Sequence, residues 1–365
     1  MPPFNWEPVP HKNNSIKKLL YFLYQTEVKL RKLYKFHKSK TMDLLKRNAG
    51  MQERIYPLGL RGLFLLLIIC ANRSIANPSL LASEPPPRGN YSLATSQQPG
   101  PFFSFGQNII DKNQFIVSYN PSYIYGKGQG ILEGDPALLY GVTDSMSLLV
   151  TLPYAFRYNN GNITQSGIGD LAIDLEYAFY NFENSKYSDQ ATIIFSPTFP
   201  ISNLGSISKK SNVNQRVSGF SRKNVPSNFN AVSYFVGATY SRMFIDWYSF
   251  LAPGVLFIEK HDSIQQGTQY YYNLGIGRDI KSREKKYIFA GLLEFNGQYS
   301  AKTTHLSKTV PNTGGNIIYV TPSLWFSTSK LVVQVGISLP INQYWYGNQS
   351  NVSYYTGSII TWTIH

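Results

Sequence analysis

From Gln114 to His365 apolar side chains recur at every second position, the period that sends alternate residues to opposite faces of a strand. Between Met146 and Tyr158 the even positions read Met146, Leu148, Val150, Leu152, Tyr154, Phe156 and Tyr158, while the odd ones include Ser147, Thr151, Ala155 and Arg157. The next stretch sets Leu171, Ile173, Leu175, Tyr177 and Phe179 against Asp170, Ala172, Asp174, Glu176 and Ala178, which places Asp170, Asp174 and Glu176 on one face. Further on, Tyr287, Phe289, Leu293, Phe295 and Tyr299 oppose Glu294, Asn296 and Gln298, and Leu331, Val333, Val335, Ile337 and Leu339 oppose Gln334 and Ser338.

A soluble sandwich also alternates, so strand length decides. These runs reach about 11–13 residues, beyond the roughly 5–6 of soluble strands and close to the 9–11 that cross a membrane. Tyr154, Tyr158, Tyr177, Tyr180, Trp247, Tyr248, Tyr287 and Tyr299 gather near run ends, where an aromatic girdle would meet the lipid interface. Twelve segments are counted, centred near residues 119, 137, 152, 174, 194, 236, 253, 273, 293, 321, 335 and 359. The connections at about 126–130, 159–166, 199–228, 261–267, 301–315 and 340–352 include the long ones, and those at about 143–145, 183–189, 243–246, 280–286 and 327–330 are tight. Short periplasmic turns and long external loops mark bacterial outer-membrane barrels. The expected fold is therefore all-β: a transmembrane antiparallel up-and-down β-barrel of about 12 strands over residues 114–365, with both ends periplasmic and a disordered N-terminal region before it.

Composition narrows the function classes. Charged residues make up 15% of the chain and aromatics another 15%, and mean hydropathy is -0.20. That excludes a bundle of transmembrane helices and fits poorly with an ordinary soluble enzyme, whose charged share is about a quarter. The net charge of +14 is concentrated at the front: residues 1–50 hold 11 Lys/Arg against 3 acids, 51–76 hold 3 against 1, and 77–365 hold 20 against 16. Nucleic acid is thus not an expected partner.

The front of the chain divides into three parts. Residues 51–76 read as a secretory signal peptide, with Arg54 and Arg61 before an apolar run from Leu63 to Ala71 and small residues at Ser74-Ile75-Ala76. The mature chain would begin at Asn77 and lose Cys70, the single cysteine. Residues 1–50 then form an over-long N-terminal extension, or else a basic amphipathic helix on an anionic membrane. Residues 77–113 contain Pro78, Pro85, Pro86, Pro87, Pro99 and Pro101 without sustained periodicity. They read as a periplasmic linker, with a plug of the lumen as the alternative.

The runs "YGVTDSMSLLVTLPY" and "GIGDLAIDLEYAF", preceded by Glu133-Gly134-Asp135 and followed near the C-terminus by "LVVQVGISLPINQYWYG", carry a resemblance. They resemble the outer-membrane barrels associated with meta-pathway phenol degradation, over roughly residues 114–365. The resemblance implies a channel or transporter for small molecules, apolar or aromatic ones among them, and no catalytic residues. Barrels of that family end in an aromatic that the barrel assembly machinery reads. This chain instead ends Ile360-Thr361-Trp362-Thr363-Ile364-His365, the apolar register displaced by one.

Candidate chemistry is sparse. Two His-x-Ser pairs, His261-Asp262-Ser263 and His305-Leu306-Ser307, have the spacing of an outer-membrane phospholipase pair, but both fall in expected external loops. No metal-ligand or phosphate-loop spacing occurs, so neither a cofactor nor an enzyme activity is expected. Asp170, Asp174, Glu176 and Glu294, with Arg157 on the neighbouring strand, are the candidates for setting a selective field in the lumen; the alternative is paired interior packing. Lys209, Lys210, Arg216, Arg222 and Lys223 form a basic external loop able to meet lipopolysaccharide phosphates. The expected function is an outer-membrane channel for small solutes in a Gram-negative cell, the alternative a closed structural or adhesive barrel that binds partners through its loops.

Overall fold

The computed structural model describes residues 89–126, 129–160, 164–202, 231–261, 263–349 and 351–364. The alternating runs become β1 (Phe115–Gly126), β2 (Gln129–Thr143), β3 (Met146–Thr151, resuming as Tyr154–Asn160), β4 (Thr164–Ile168, resuming as Leu171–Glu183), β5 (Tyr187–Phe199) and β6 (Ser233–Phe244). The wall continues with β7 (Trp247–Ile258), β8 (Gln269–Arg283), β9 (Tyr287–Ser300), β10 (Gly315–Ser327), β11 (Leu331–Trp345) and β12 (Val352–Ile364). Each pairs antiparallel with the next, and β1 pairs with β12 from Phe115↔Ile364 to Gly126↔Val352, which closes a twelve-stranded barrel. Closure satisfies every strand edge, a requirement for any sheet that spans lipid.

Two strands are broken where the period alone gives no warning. Pro153 has no N–H to give the ladder, and β3 is interrupted at Leu152-Pro153. The neighbouring break in β4 sits at Gly169-Asp170, where the Gly169 N–H donates to the Pro153 carbonyl at 2.8 Å.

Most outward positions are apolar or aromatic: Leu138, Leu251, Leu274 and Val335 stay about half exposed at 47%, 53%, 49% and 46%. In water such a band would aggregate; in a bilayer it is the lipid-facing surface. Near the short-turn rim Arg278 lies 5.1 Å over the Trp247 ring and Arg242 lies 4.4 Å over Tyr187, the amphipathic pairing suited to a headgroup layer. A closed antiparallel barrel of even strand number with this outer band is a bacterial outer-membrane protein.

The connections at 144–145, 184–186, 245–246, 284–286 and 328–330 share one rim, the periplasmic one in barrels of this kind. At the opposite rim lie the other strand ends, Gly126 and Gln129, Asn160 and Thr164, Phe199 and Ser233, Ile258 and Gln269, Ser300 and Gly315, and Trp345 and Val352. A small sheet of Ile264–Gln265, Thr304–His305 and Lys308–Thr309 stands there.

Twelve strands enclose more room than inward side chains fill, since the lumen widens with strand number. Here the chain fills it with its own residues 89–113. Three side chains of this inner segment each seat in an apolar cluster of the inner wall. Phe102 packs with Ile124, Ile131, Ile317, Val352 and Tyr355. Phe105 packs among Ile194, Phe235, Tyr271 and Leu292, and Ile110 packs with Ile116 and Leu139.

Candidate functional site

The inner segment starts at the short-turn rim, where the N–H of Asn90 donates to the Ile245 carbonyl and the N–H of Lys285 donates to that of Ser92, at 2.5 and 2.9 Å. Tyr91 donates its hydroxyl to the Met243 carbonyl at 2.7 Å. The segment crosses the mouth to β12, where Gln97 Nε2 donates to Thr363 Oγ1 at 2.7 Å. It then climbs to the half of the barrel nearer the long loops, where the Phe103 ring meets those of Tyr319 and Tyr355 at 5.1 and 5.3 Å.

At this apex the backbone, not the side chains, does the recognising. Three successive N–H groups, of Phe102, Phe103 and Ser104, converge on the Glu294 carboxylate at 2.5, 3.2 and 3.1 Å, and Asn296 Nδ2 adds a fourth donor at 3.2 Å. The chain then turns through Gly106 and Gln107, both at positive φ, +83° and +65°. Beyond the turn the N–H groups of Gln107 and Asn108 donate to Glu176 at 2.7 and 3.1 Å, and Thr192 Oγ1 donates to the same carboxylate at 2.7 Å. Tyr248 donates its hydroxyl to Gln107 Oε1. Convergent backbone N–H groups form an anion-binding nest; here the anions are fixed to the wall and the nests lie on the segment.

The descent ends with Ile110 N–H on Ser147 Oγ at 3.1 Å and Lys112 N–H on Asp144 Oδ1 at 3.0 Å. A Cβ built on Gly141 would stand 2.0 Å from the Asp111 carbonyl oxygen, so the segment can cross β2 there only because that residue is glycine. Gly336 does the same for Phe102, whose Cδ1 would lie 2.7 Å from an added Cβ.

The structure separates the five lumen residues expected from the sequence. Glu176 and Glu294 face inward and hold the inner segment. Asp174 also faces inward, accepting the Ser196 hydroxyl, and buried Asp170 lies in the β4 break, accepting the Ser202 N–H at 3.2 Å. Arg157 does not join them. The β2–β3 pairing slips between Leu132↔Arg157 and Glu133↔Ala155, leaving Phe156 unopposed. The bulge turns Arg157 to the side of lipid-facing Leu132, where it is exposed.

Glu133 and Asp135, both buried on the inner wall, escaped the sequence reading as site residues although they lie in a motif it singles out. Glu133 accepts the Ser122 hydroxyl at 2.8 Å. Lys209, Lys210, Arg216, Arg222 and Lys223 lie outside the described residues. His305 and Ser307 flank Leu306 in a tight turn whose Leu306 and Ser307 have φ of +50° and +64°. The two are therefore not successive inward positions of one strand. Among the described residues no three His, Cys, Asp or Glu side chains come together to hold a metal.

Between the inner segment and the walls of β1–β4 and β10–β12 remains a cavity of about 180 Å³. It is bounded by Ile116, Leu139, Leu149, Val332, Trp325 and Gln334 among others.

No family model and no curated protein matches the sequence. Among solved structures the chain is similar to an outer membrane channel from Pseudomonas putida F1, with a TM-score of 0.51 and 15% identity over 73% of this chain and 99% of that one. The NanC porin is also similar, with a TM-score of 0.39 and 11% identity over 68% of this chain and 100% of that one. At these identities the likeness concerns the fold.

Proposed function

We propose that the protein is an outer-membrane channel for small molecules, apolar or aromatic ones among them, shut at rest by residues 89–113 acting as a plug. The observation that carries this reading is the manner of the hold. The plug is covalently tied to the wall only through β1, and its apex hangs on two carboxylates by hydrogen bonds that water can replace. A core filled by wall side chains would have no such release. The acids Asp170, Asp174, Glu176 and Glu294 then act first on the plug, and set the field for cations once it has moved.

The resemblance of residues 114–365 to barrels associated with meta-pathway phenol degradation supports the solute class, and the similarity in fold to a solved outer membrane channel supports a channel in general. In this reading the mature chain begins at Asn77, and Lys209, Lys210, Arg216, Arg222 and Lys223 lie against lipopolysaccharide phosphates.

Conductance in planar bilayers tests the channel. The parent should show rare, brief openings, and a chain lacking residues 77–113 should conduct persistently. Silence from both, with the barrel folded, would move the assignment to a closed structural barrel.

A further inference from the structure

We propose that the lipid-facing wall carries a binding site for one molecule of lipid A, the phosphorylated glycolipid of the outer leaflet, with a phosphate held by Arg157 and an acyl chain laid along a groove that starts beside it. The site lies outside the lumen, so its occupancy does not depend on conduction. The groove measures about 740 Å³, within the roughly 300–1,000 Å³ of small-molecule sites. Its floor is β12, where the outward Thr356 and Ser358 are small and stand between the larger Tyr354 and Ile360. Neighbouring strands raise the sides, with Tyr123 and Leu132 on one flank and Ile337, Val335 and Leu324 on the other.

The groove also slopes. Leu132 lies near the external end of β2 and pairs with Tyr123, which pairs with Thr356, which pairs with Ile337. On the far flank Leu324 and Val335 lie nearer the short-turn ends of β10 and β11. Four strand spacings of about 4.8 Å carry the groove roughly 19 Å from β2 to β10. One leaflet, half of a hydrocarbon core about 30 Å thick, is of similar depth. An acyl chain entering at the outer interface can therefore follow this line toward the bilayer centre.

Arg157 stands at the external end of the groove. It is the cross-strand partner of Leu132, and the bulge at Phe156 leaves it exposed on the same outward side. Among the described residues it forms no ion pair, whereas Arg242 and Arg278 sit at the other rim over aromatic rings. A cation in an apolar band is costly unless an anion meets it, and near the external strand ends the anions are lipid phosphates. Arginine grips phosphate through two parallel N–H donors. A phosphomonoester, the form lipid A carries, offers about −1.5 to −2 charge and three oxygens, more than the phosphodiester of a glycerophospholipid.

Native mass spectrometry of the full chain, folded in detergent micelles and titrated with lipid A, tests the site. The parent should take up one lipid A per chain ahead of any further copies. Lipid A stripped of its phosphates should bind at least about tenfold more weakly, and phosphatidylglycerol, a phosphodiester, should fall between the two. Arg157→Gln should weaken the first lipid A by the same factor, and Arg157→Lys by less, because it keeps the charge and loses the fork. Ser358→Leu, which fills the floor with a side chain suited to the lipid face, should weaken lipid A with and without phosphates alike.

Phosphatidylglycerol bound as tightly as lipid A would overturn the assignment, and so would equal binding of the dephosphorylated form. Lipid A binding unaltered in Arg157→Gln or in Ser358→Leu would remove this site and place the lipid elsewhere. Paired chains in place of bound lipid, separated by Ser358→Leu, would give the groove to a second copy of the protein. The comparison of lipids needs no variant, and so decides the case if a substituted barrel fails to fold.

Discussion

Replacing Glu294 by Gln should loosen the plug apex without opening a hole in the wall, because the side chains are nearly equal in volume. The carboxylate takes the N–H groups of Phe102, Phe103 and Ser104 while fully buried. In the variant one oxygen remains for Phe102, but the new amide nitrogen faces the other N–H groups donor to donor. Hydrogen bonds to a charged partner contribute about 1.5–3 kcal/mol each, against about 0.5–1.5 for neutral ones. Two are lost and a third is weakened, and the freed N–H groups recover part of the loss in water once the apex moves. The net shift toward the undocked state is therefore about 2–4 kcal/mol, a factor of roughly 30 to 1,000.

Hydrogen exchange in lipid vesicles reads this directly. Protection of the 102–104 amides should fall by that factor while the amides of Asn273 and Gly275, in the β8–β9 ladder, keep theirs. Protection unchanged at 102–104 would refute the carboxylate's hold. Equal loss in the ladder would show that Glu294 supports the barrel rather than the plug.

Gly106→Ala should destabilise the same apex by about 1–2 kcal/mol from its left-handed backbone alone, and by more because the new methyl would stand 2.5 Å from Thr239 Cγ2; faster proteolysis within residues 100–110 checks it. Phe102→Ala should weaken docking by about 3 kcal/mol or more and Phe102→Leu by less, measured by exchange at the Ser104 amide. Leu274→Arg, on the lipid face, should cost about 2–4 kcal/mol in folding into vesicles; denaturant titration with normal stability would mean that this face does not meet lipid.

The wall of the barrel was legible because its physics is periodic. A strand that faces lipid on one side and a polar interior on the other must alternate without lapse, so Leu171 to Phe179 and Leu331 to Leu339 disclose both faces at once. The positions that went astray are those where the period breaks. Pro153 interrupts β3, and the bulge at Phe156 shifts the register by one, so that Arg157, read by parity as an inward residue, emerges with Leu132. One residue of slip reverses every later side chain, and single-sequence parity has no means of locating the slip.

The inner segment was hard to read for a different reason. Period two reports which way a side chain points but not what it meets, and Glu176 and Glu294 meet backbone N–H groups that every residue except proline possesses. A patch of Lys or Arg would have announced a partner for those acids; a nest of main-chain donors leaves no mark on residue type. The mark lies on the wall instead. Gly141 and Gly336 are inward positions in long strands where glycine is otherwise unfavourable, and at each an added Cβ would collide with the inner segment, with Asp111 at Gly141 and with Phe102 at Gly336. Lone inward glycines, two inward acids two strands or more apart, and a non-periodic segment just before the first strand together describe a barrel that is filled by its own N-terminal chain. The acids must then be tested first as latches, because a field at an open pore can act only after the bonds to Phe102–Ser104 and to Gln107 and Asn108 have been released.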